Sequence, residues 1–228
     1  MAVGFWAEPV NAATNVAFLV TAFCAFARWR RAGGTDDGAL ALMCVTVLVG
    51  CGSFGFHTLA TRGAMLLDVI PIAAFIYGYL LLALRRYVNL SRLWSSVLVA
   101  AFAGVSTIAP DLLPLDFLNG SGGYLPALAA LIAVAAFILA RPDVARTRNG
   151  AAHRMVDSSR SGTAARALLA AAGVFFVSLV FRSIDLAICP AFAPGTHFVW
   201  HILNAVVLYI LLRAAIDYGP VRRQVAAR

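Results

Sequence analysis

The C-terminal part of the chain contains the segment HFVWHILNAVVLYILL at residues 197–212. It holds no acidic residue, lysine or arginine, and such an apolar run is typical of a helix that crosses a membrane. The segment opens with His197-Phe-Val-Trp-His201, and this i, i+4 spacing puts both imidazoles on one helix face. An ionisable side chain in hydrocarbon is costly without a partner. The segment therefore predicts both a membrane fold and a functional site.

The remainder of the chain has the same apolar character. Of its 228 residues, 62% are apolar, and the mean hydropathy of +0.86 is too high for a soluble domain. We predict an all-α fold, a seven-transmembrane helical bundle that forms a single domain over residues 1–228. The predicted spans are about 10–28, 39–60, 65–84, 93–110, 124–140, 164–187 and 197–216.

Polar or glycine-containing segments connect the predicted spans. The longest connection, about 141–162, is rich in Arg, Ser and Asp, and we expect a mobile loop there. It contains His153, which we interpret as a solvated surface residue. The cysteines show no C-x-x-C pattern, and the sequence neither supports nor excludes a disulfide between Cys51 and Cys189.

The basic residues indicate how the bundle is oriented. All 18 are arginines, and the net charge is +8. Fourteen of them lie in the odd-numbered loops and the tail, namely Arg28, Arg30, Arg31, Arg85, Arg86, Arg92, Arg141, Arg146, Arg148, Arg154, Arg160, Arg222, Arg223 and Arg228, whereas the even-numbered loops hold only Arg62 and Arg182. The positive-inside rule then predicts an N-terminus outside and a C-terminus in the cytoplasm. Nucleic-acid binding is disfavoured, because no basic helix face or aromatic-basic motif is present. The lysine-free, alanine-rich composition suggests a bacterial inner-membrane protein.

The unusual polar residues fall at one side of the predicted bundle. Ser53 and His57 lie near the end of span two, Asp68 lies near the start of span three, and His197 and His201 open span seven. Even spans end, and odd spans start, on the same side of a membrane. All five groups are thus expected in the outer half. Three neutral imidazoles that meet leave one open position for water, which predicts a zinc site with Asp68 as a base or an orienting group.

We also consider other functions for these residues. A haem-binding electron carrier would use two histidines axially, but it leaves Asp68 and Ser53 without a role. A retinal protein is disfavoured, because a Schiff base needs a lysine. A transporter with a midplane site would need a pair of broken helices, and none is evident.

Several motifs together resemble one family. They are Gly52-Ser-Phe-Gly-Phe-His-Thr-Leu59, Leu66-Leu-Asp-Val-Ile-Pro71, His197-Phe-Val-Trp-His201, Glu8-Pro-Val-Asn-Ala-Ala-Thr-Asn15 and Phe181-Arg-Ser-Ile-Asp185. In this order they resemble the alkaline ceramidases, which belong to a wider superfamily of seven-span hydrolases that includes the adiponectin receptors. The resemblance implies a zinc-dependent hydrolase that cleaves the amide bond of a membrane lipid, either ceramide or another N-acyl lipid. It also implies an alternative, a receptor-like or haemolysin-like member whose zinc is mainly structural.

The resemblance also implies roles for single residues. His57, His197 and His201 would bind Zn2+, Asp68 would hold the water and accept its proton, and Ser53 would steady the oxyanion or the water. Two features depart from the family pattern. Glu8 is the only carboxylate ahead of span one, which disfavours a calcium site because calcium takes six or more oxygen ligands. Arg182 stands where a less charged residue is expected, and with Asp185, at i, i+3, it could form an interfacial salt bridge.

Overall fold

The chain folds into a bundle of helices. The computed structural model describes residues 6–112, 118–140 and 151–219, with the side chains of 109–112 and 151–161 left out. The helices are α1 (Pro9–Thr14), α2 (Val16–Arg31), α3 (Asp37–Leu59), α4 (Arg62–Arg86), α5 (Arg92–Leu112), α6 (Leu125–Ala140), α7 (Ala151–Ile188) and α8 (His197–Asp217). A short 3-10 helix, Ser121–Tyr124, precedes α6. No strand occurs in the described ranges, and the predicted all-α membrane bundle is confirmed.

The membrane-spanning segments follow the hydropathy of the sequence. Six are long and apolar enough to cross a bilayer, namely Pro9–Arg31, Asp37–Leu59, Arg62–Arg86, Ser121–Ala140, Gly162–Ile188 and His197–Asp217. Within the described residues, α5 supplies a shorter apolar helix, Arg92–Ile108, where the sequence predicts the shortest span. The first span is built from α1 and α2, which are continuous because Asn15 between them keeps a right-handed helical conformation.

One predicted connection differs from the structure. The loop expected over about 141–162 is partly helical, because α7 already begins at Ala151. The stretch Ala151-Ala-His-Arg-Met contains good helix formers and no proline, so its polar residues do not by themselves indicate irregular structure. The mobility expected for 141–150 falls outside the described residues, as do the tail arginines Arg222, Arg223 and Arg228.

A close helix pair brings two parts of the predicted site together. The turn between α3 and α4 is short: Ala60 adopts a left-handed conformation at φ 49°, and Thr61 Oγ1 accepts a hydrogen bond from the Ala64 amide at 3.1 Å. Two turns of α3 before this connection, a Cβ atom added to Gly52 would overlap the carbonyl oxygen of Leu67 in α4. Glycine therefore allows the two backbones to touch one residue before Ser53 and one residue before Asp68.

Ion pairs join the helices at the opposite end of the bundle. Arg28 near the end of α2 donates two hydrogen bonds to Asp217 at the end of α8, at 2.6 and 2.8 Å. Arg86 at the end of α4 pairs with Asp36, the N-cap of α3, at 2.8 Å. These contacts tie the ends of four helices together away from the histidines. The core between the two ends is apolar, and Leu168 and Leu212 are fully buried there.

Candidate metal centre

The structure brings together the three histidines that the sequence singles out. His57 lies in the last turn of α3, and His197 and His201 lie in the first two turns of α8. Their ring centroids are 4.7 to 5.2 Å apart. One ring nitrogen from each lies within 4.8 Å of the others, and His57 and His201 are only 3% and 2% exposed. Such a buried cluster of imidazoles is a candidate metal centre.

Glu8 fixes the orientation of the first ring. Its Oε2 lies 2.6 Å from Nδ1 of His57, and it also accepts a hydrogen bond from Asn11 at 2.8 Å. The hydrogen bond from His57 lowers the pKa of Glu8 from its ordinary value to about 2, against the opposing effect of burial. An ionised carboxylate only accepts hydrogen bonds, so Nδ1 of His57 carries the proton. In the neutral ring the other nitrogen, Nε2, is then a lone-pair donor, and it is buried without a hydrogen-bond partner among the described residues.

Thr14 fixes the second ring in the same way. Its Oγ1 lies 3.0 Å from Nδ1 of His201. The hydroxyl of Thr14 also lies 3.0 and 2.9 Å from the backbone carbonyls of Val10 and Asn11. When it donates its single proton to one of these carbonyls, it accepts from His201, which puts the proton of that ring on Nδ1. The sequence reasoning missed Thr14, although it lies within the Glu8–Asn15 motif.

Asp185 determines where the helix with the other two histidines begins. Its Oδ1 accepts hydrogen bonds from the amides of Thr196 and His197, at 2.6 and 2.9 Å. These amides have no partner within the helix, so a carboxylate from α7 acts as the cap of α8. Gly195, at φ +63°, leaves room for this carboxylate, because a Cβ there would collide with it.

Cys189 is a free thiol, as are Cys24, Cys44 and Cys51.

Asp68 and Ser53 lie beside the histidines at the head of an apolar cavity. Asp68 Oδ1 is buried without a hydrogen-bond partner, and its carboxylate is near enough to Ser53 and His57 to interact with both. Ser53, Asp68 and His201 line a cavity of about 100 Å³. Residues from Trp200 to Leu211 of α8 line the cavity, and they span about 16 Å along the helix at 1.5 Å per residue. Its remaining walls are almost entirely aliphatic and aromatic.

Arg182 does not pair with Asp185. Its Nη1 donates to the carbonyl of Asn119 at 2.8 Å and to Ser121 Oγ at 3.3 Å, both in the connection between α5 and α6. The guanidinium also lies over the rings of Tyr124 and Trp200, at 5.4 and 5.5 Å from their centroids. The salt bridge suggested by the i, i+3 spacing is therefore wrong, because Arg182 bonds to the connection before α6 whereas Asp185 bonds to the amides at the start of α8.

The donor set and the buried atoms suit a transition metal. Nε2 of His57 is a buried ring nitrogen with no hydrogen-bond partner in the described structure. A buried acceptor without a partner is unfavourable unless a cation or a donor meets it. Three imidazoles are the ligand set of a catalytic zinc site with an open position. Hydrogen-bond partners at the outer Nδ1 atoms, here Glu8 and Thr14, are the usual way in which metal-binding rings are oriented.

Comparison with known families agrees with this geometry. A family model described as Ceramidase matches residues 2–219. The match covers almost the whole chain, including all the residues of the histidine cluster, Asp68, Ser53 and Glu8. A search of curated proteins gives no match.

Proposed function

The chain belongs to the Ceramidase family, and from that premise we propose that it is an intramembrane zinc-dependent hydrolase. Membership implies an enzyme that acts on lipid amides. The proposed reaction is cleavage of the amide bond of a ceramide-like N-acyl lipid by water. The products are a fatty acid and an amine such as a sphingoid base.

One observation carries this proposal. Three imidazoles, two of them buried, meet beside a carboxylate and a hydroxyl, and this polar group lies at the head of a long apolar cavity. Ligand sites commonly combine an apolar cavity with a few convergent polar groups. Here the polar part suits an amide, and the apolar part suits its acyl chain.

Each residue of the site has a proposed role in hydrolysis. His57, His197 and His201 would hold zinc, which when bound supplies Lewis acidity that makes a water nucleophilic at neutral pH. Asp68 accepts a proton from the attacking water and keeps the water oriented towards the carbonyl carbon. Ser53 donates a hydrogen bond to the oxygen on which negative charge develops.

The second half of the reaction returns the proton. Asp68 is near Ser53 and His57, and it delivers its proton to the amide nitrogen as the C–N bond breaks. The water oxygen ends in the carboxylate of the fatty acid, and the amine leaves with the transferred proton. Asp68 is then ionised again, as at the start of the cycle.

The cavity suits the acyl half of the substrate. It is enclosed mainly by Ile72, Phe75, Leu131, Val134, Leu168 and Val207. An acyl chain placed there would keep its contacts apolar while its carbonyl lies beside Asp68 and His201. A substrate that enters from the lipid never has to leave an apolar environment.

We also propose an orientation for this integral membrane protein. Arg28 and Arg86 lie at the bundle end opposite the histidines. Under the positive-inside rule, that end faces the cytoplasm. The metal centre would then lie in the outer half of a bacterial inner membrane.

The test is a hydrolysis assay on the purified full-length protein in detergent. Ceramide is the first substrate, and mass spectrometry measures the free fatty acid and the free amine. We expect turnover that a chelator abolishes and that added zinc restores. Zinc content of the same samples is measured by elemental analysis.

Two outcomes would contradict the proposal in different ways. Protein that contains zinc but releases no fatty acid from any N-acyl lipid would favour the alternative of a mainly structural zinc. Turnover that is unaffected by the chelator, in protein free of transition metal, would exclude the zinc-dependent mechanism.

A further inference from the structure

Arg182 is a cation in a membrane-spanning helix, and its contacts among the described residues are with neutral groups. They are the Asn119 carbonyl, the Ser121 hydroxyl and the faces of Tyr124 and Trp200. Among the described residues, no carboxylate lies within 4.0 Å of its guanidinium. This differs from Arg28 and Arg86, each of which is paired with an aspartate at the other end of the bundle.

The lack of a described carboxylate partner for Arg182, within a membrane span, needs an explanation. A charged side chain within a membrane span has a high free-energy cost, so such side chains normally face one another, a cavity or a ligand. The aromatic faces of Tyr124 and Trp200 and the two hydrogen bonds hold the guanidinium in place without neutralising its charge. Nη1 alone makes the two hydrogen bonds. The rest of the donor fork has no hydrogen-bond partner in the described structure.

The guanidinium lies next to the reaction site. Tyr124 and Trp200, which it contacts, line the same cavity as Ser53, Asp68 and His201. The ring of Trp200 lies 6.5 Å from that of His197. Arg182 is also close enough to act electrostatically on Asp68 and His201. A substrate whose amide carbonyl lies beside Asp68 would therefore bring the substituents of its nitrogen near Arg182, since the acyl chain occupies the cavity below.

From this arrangement we propose that Arg182 binds an anionic group on the amine half of the substrate. Arginine presents a planar fork of N–H donors that matches a carboxylate or a phosphate. The preferred substrate is thus an N-acyl lipid with a carboxylate or a phosphate close to the scissile amide, and not a neutral ceramide. This inference rests on the proposed hydrolase function and specifies its substrate class.

The reaction itself is unchanged by this assignment. Water adds its oxygen to the acyl carbon, the C–N bond breaks, and the nitrogen takes up a proton. An N-acylglycine, for example, would give a fatty acid and glycine. Arg182 binds the anion throughout and exchanges no proton with it.

Two matched pairs of lipids test the preference on the wild-type protein. N-oleoylglycine and N-oleoylethanolamine differ in a carboxylate, and ceramide 1-phosphate and ceramide differ in a phosphate. We expect kcat/KM for the anionic member of at least one pair to exceed that of the neutral member by about tenfold to a hundredfold, the range of a charge-assisted hydrogen bond. The pair that shows the effect identifies the anion. Faster hydrolysis of the neutral member in both pairs would overturn the proposal.

Variants show whether Arg182 is responsible. Arg182→Gln should remove the preference: the ratio of kcat/KM for the anionic lipid to kcat/KM for the neutral lipid should fall towards one, mainly through KM of the anionic lipid. Arg182→Lys keeps the charge but not the fork, and it should retain part of the preference. Arg166→Gln is the matched control, because Arg166 is an exposed arginine near the other end of the span Gly162–Ile188, and its described contact is with Thr163. A preference that is unchanged in Arg182→Gln would overturn the assignment.

A binding measurement separates this inference from the hydrolase function. Asp68→Asn protein is titrated with N-oleoylglycine and N-oleoylethanolamine, and the two dissociation constants are compared. Tighter binding of the anionic lipid, lost in the Asp68→Asn/Arg182→Gln double variant, supports the role of Arg182 even if no lipid is hydrolysed. Equal binding of the two lipids overturns it even if ceramide is hydrolysed.

Discussion

Nδ1 of His57 lies 2.6 Å from Oε2 of Glu8, a residue 49 positions earlier in the chain. This contact joins the start of the first span to the end of the second. It assigns the proton to Nδ1 and leaves Nε2 for a metal. Glu8 thus orients a histidine of the cluster.

Loss of Glu8 should weaken metal binding without abolishing it. Glu8→Ala removes the acceptor of the Nδ1 proton, and changes of this kind typically cost 10–100-fold in metal affinity. Glu8→Gln keeps an oxygen acceptor and should lose less. Zinc retained after dialysis against graded chelator concentrations gives the affinity. Asp37→Ala, an exposed carboxylate at the other end of α3, is the control, and equal affinity in Glu8→Ala and the control would refute the role of Glu8.

Removal of a cluster histidine should remove metal and turnover together. We expect His57→Ala and His201→Ala to lower the zinc content from about one ion per chain to near zero, because two imidazoles rarely hold catalytic zinc. Elemental analysis of purified protein measures this. His153→Ala changes the histidine outside the cluster and should keep the metal. A full zinc content in His57→Ala would mean that the ion binds elsewhere.

Asp68→Asn should separate metal binding from catalysis. The amide keeps the shape of the side chain but cannot accept the proton of the water, and general-base catalysis contributes about 10²–10⁴-fold. We expect zinc content to match the wild type while kcat falls by that factor. Single-turnover release of fatty acid is the measurement. A variant with unchanged kcat would show that another group accepts the proton.

Gly52→Ala should destabilise the bundle. The new methyl group would overlap the Leu67 carbonyl and force α3 and α4 apart, at a cost of about 1–3 kcal/mol for overpacking. Gly55→Ala is the matched control in the same helix, since a Cβ there meets nothing within 4 Å. The control should gain up to about 1 kcal/mol from helix propensity. Thermal unfolding in detergent measures both, and a lower midpoint in Gly55→Ala than in Gly52→Ala would contradict the packing argument.

Narrowing of the cavity should shift acyl-chain preference. Val134 lies in the cavity wall and is 9% exposed. Val134→Phe fills space that a long acyl chain needs, so kcat/KM should fall for an octadecanoyl amide and stay near the wild-type value for an octanoyl amide. Val105→Phe, on the exposed face of α5, is the control. Equal losses for both chain lengths would place the acyl chain elsewhere.

The sequence by itself determined the membrane bundle and the histidine set. Hydropathy is a local property, so each apolar run marked a helix, and the i, i+4 spacing of His197 and His201 put both rings on one face. The count of spans also put His57 and Asp68 at the same side as these rings. The sequence was less reliable between spans, because the polar residues before Gly162 continue a helix that begins at Ala151.

Only the tertiary structure decided how the polar groups pair. The bond between Thr14 and His201 joins residues 187 positions apart, and no local pattern specifies it. The contact of Gly52 with Leu67 likewise depends on how closely two backbones approach. Arg182 and Asp185 share one helix, yet one turns to the connection before α6 and the other caps α8. A side chain in a low-dielectric bundle bonds to the partners that packing supplies, and packing is a property of the whole chain.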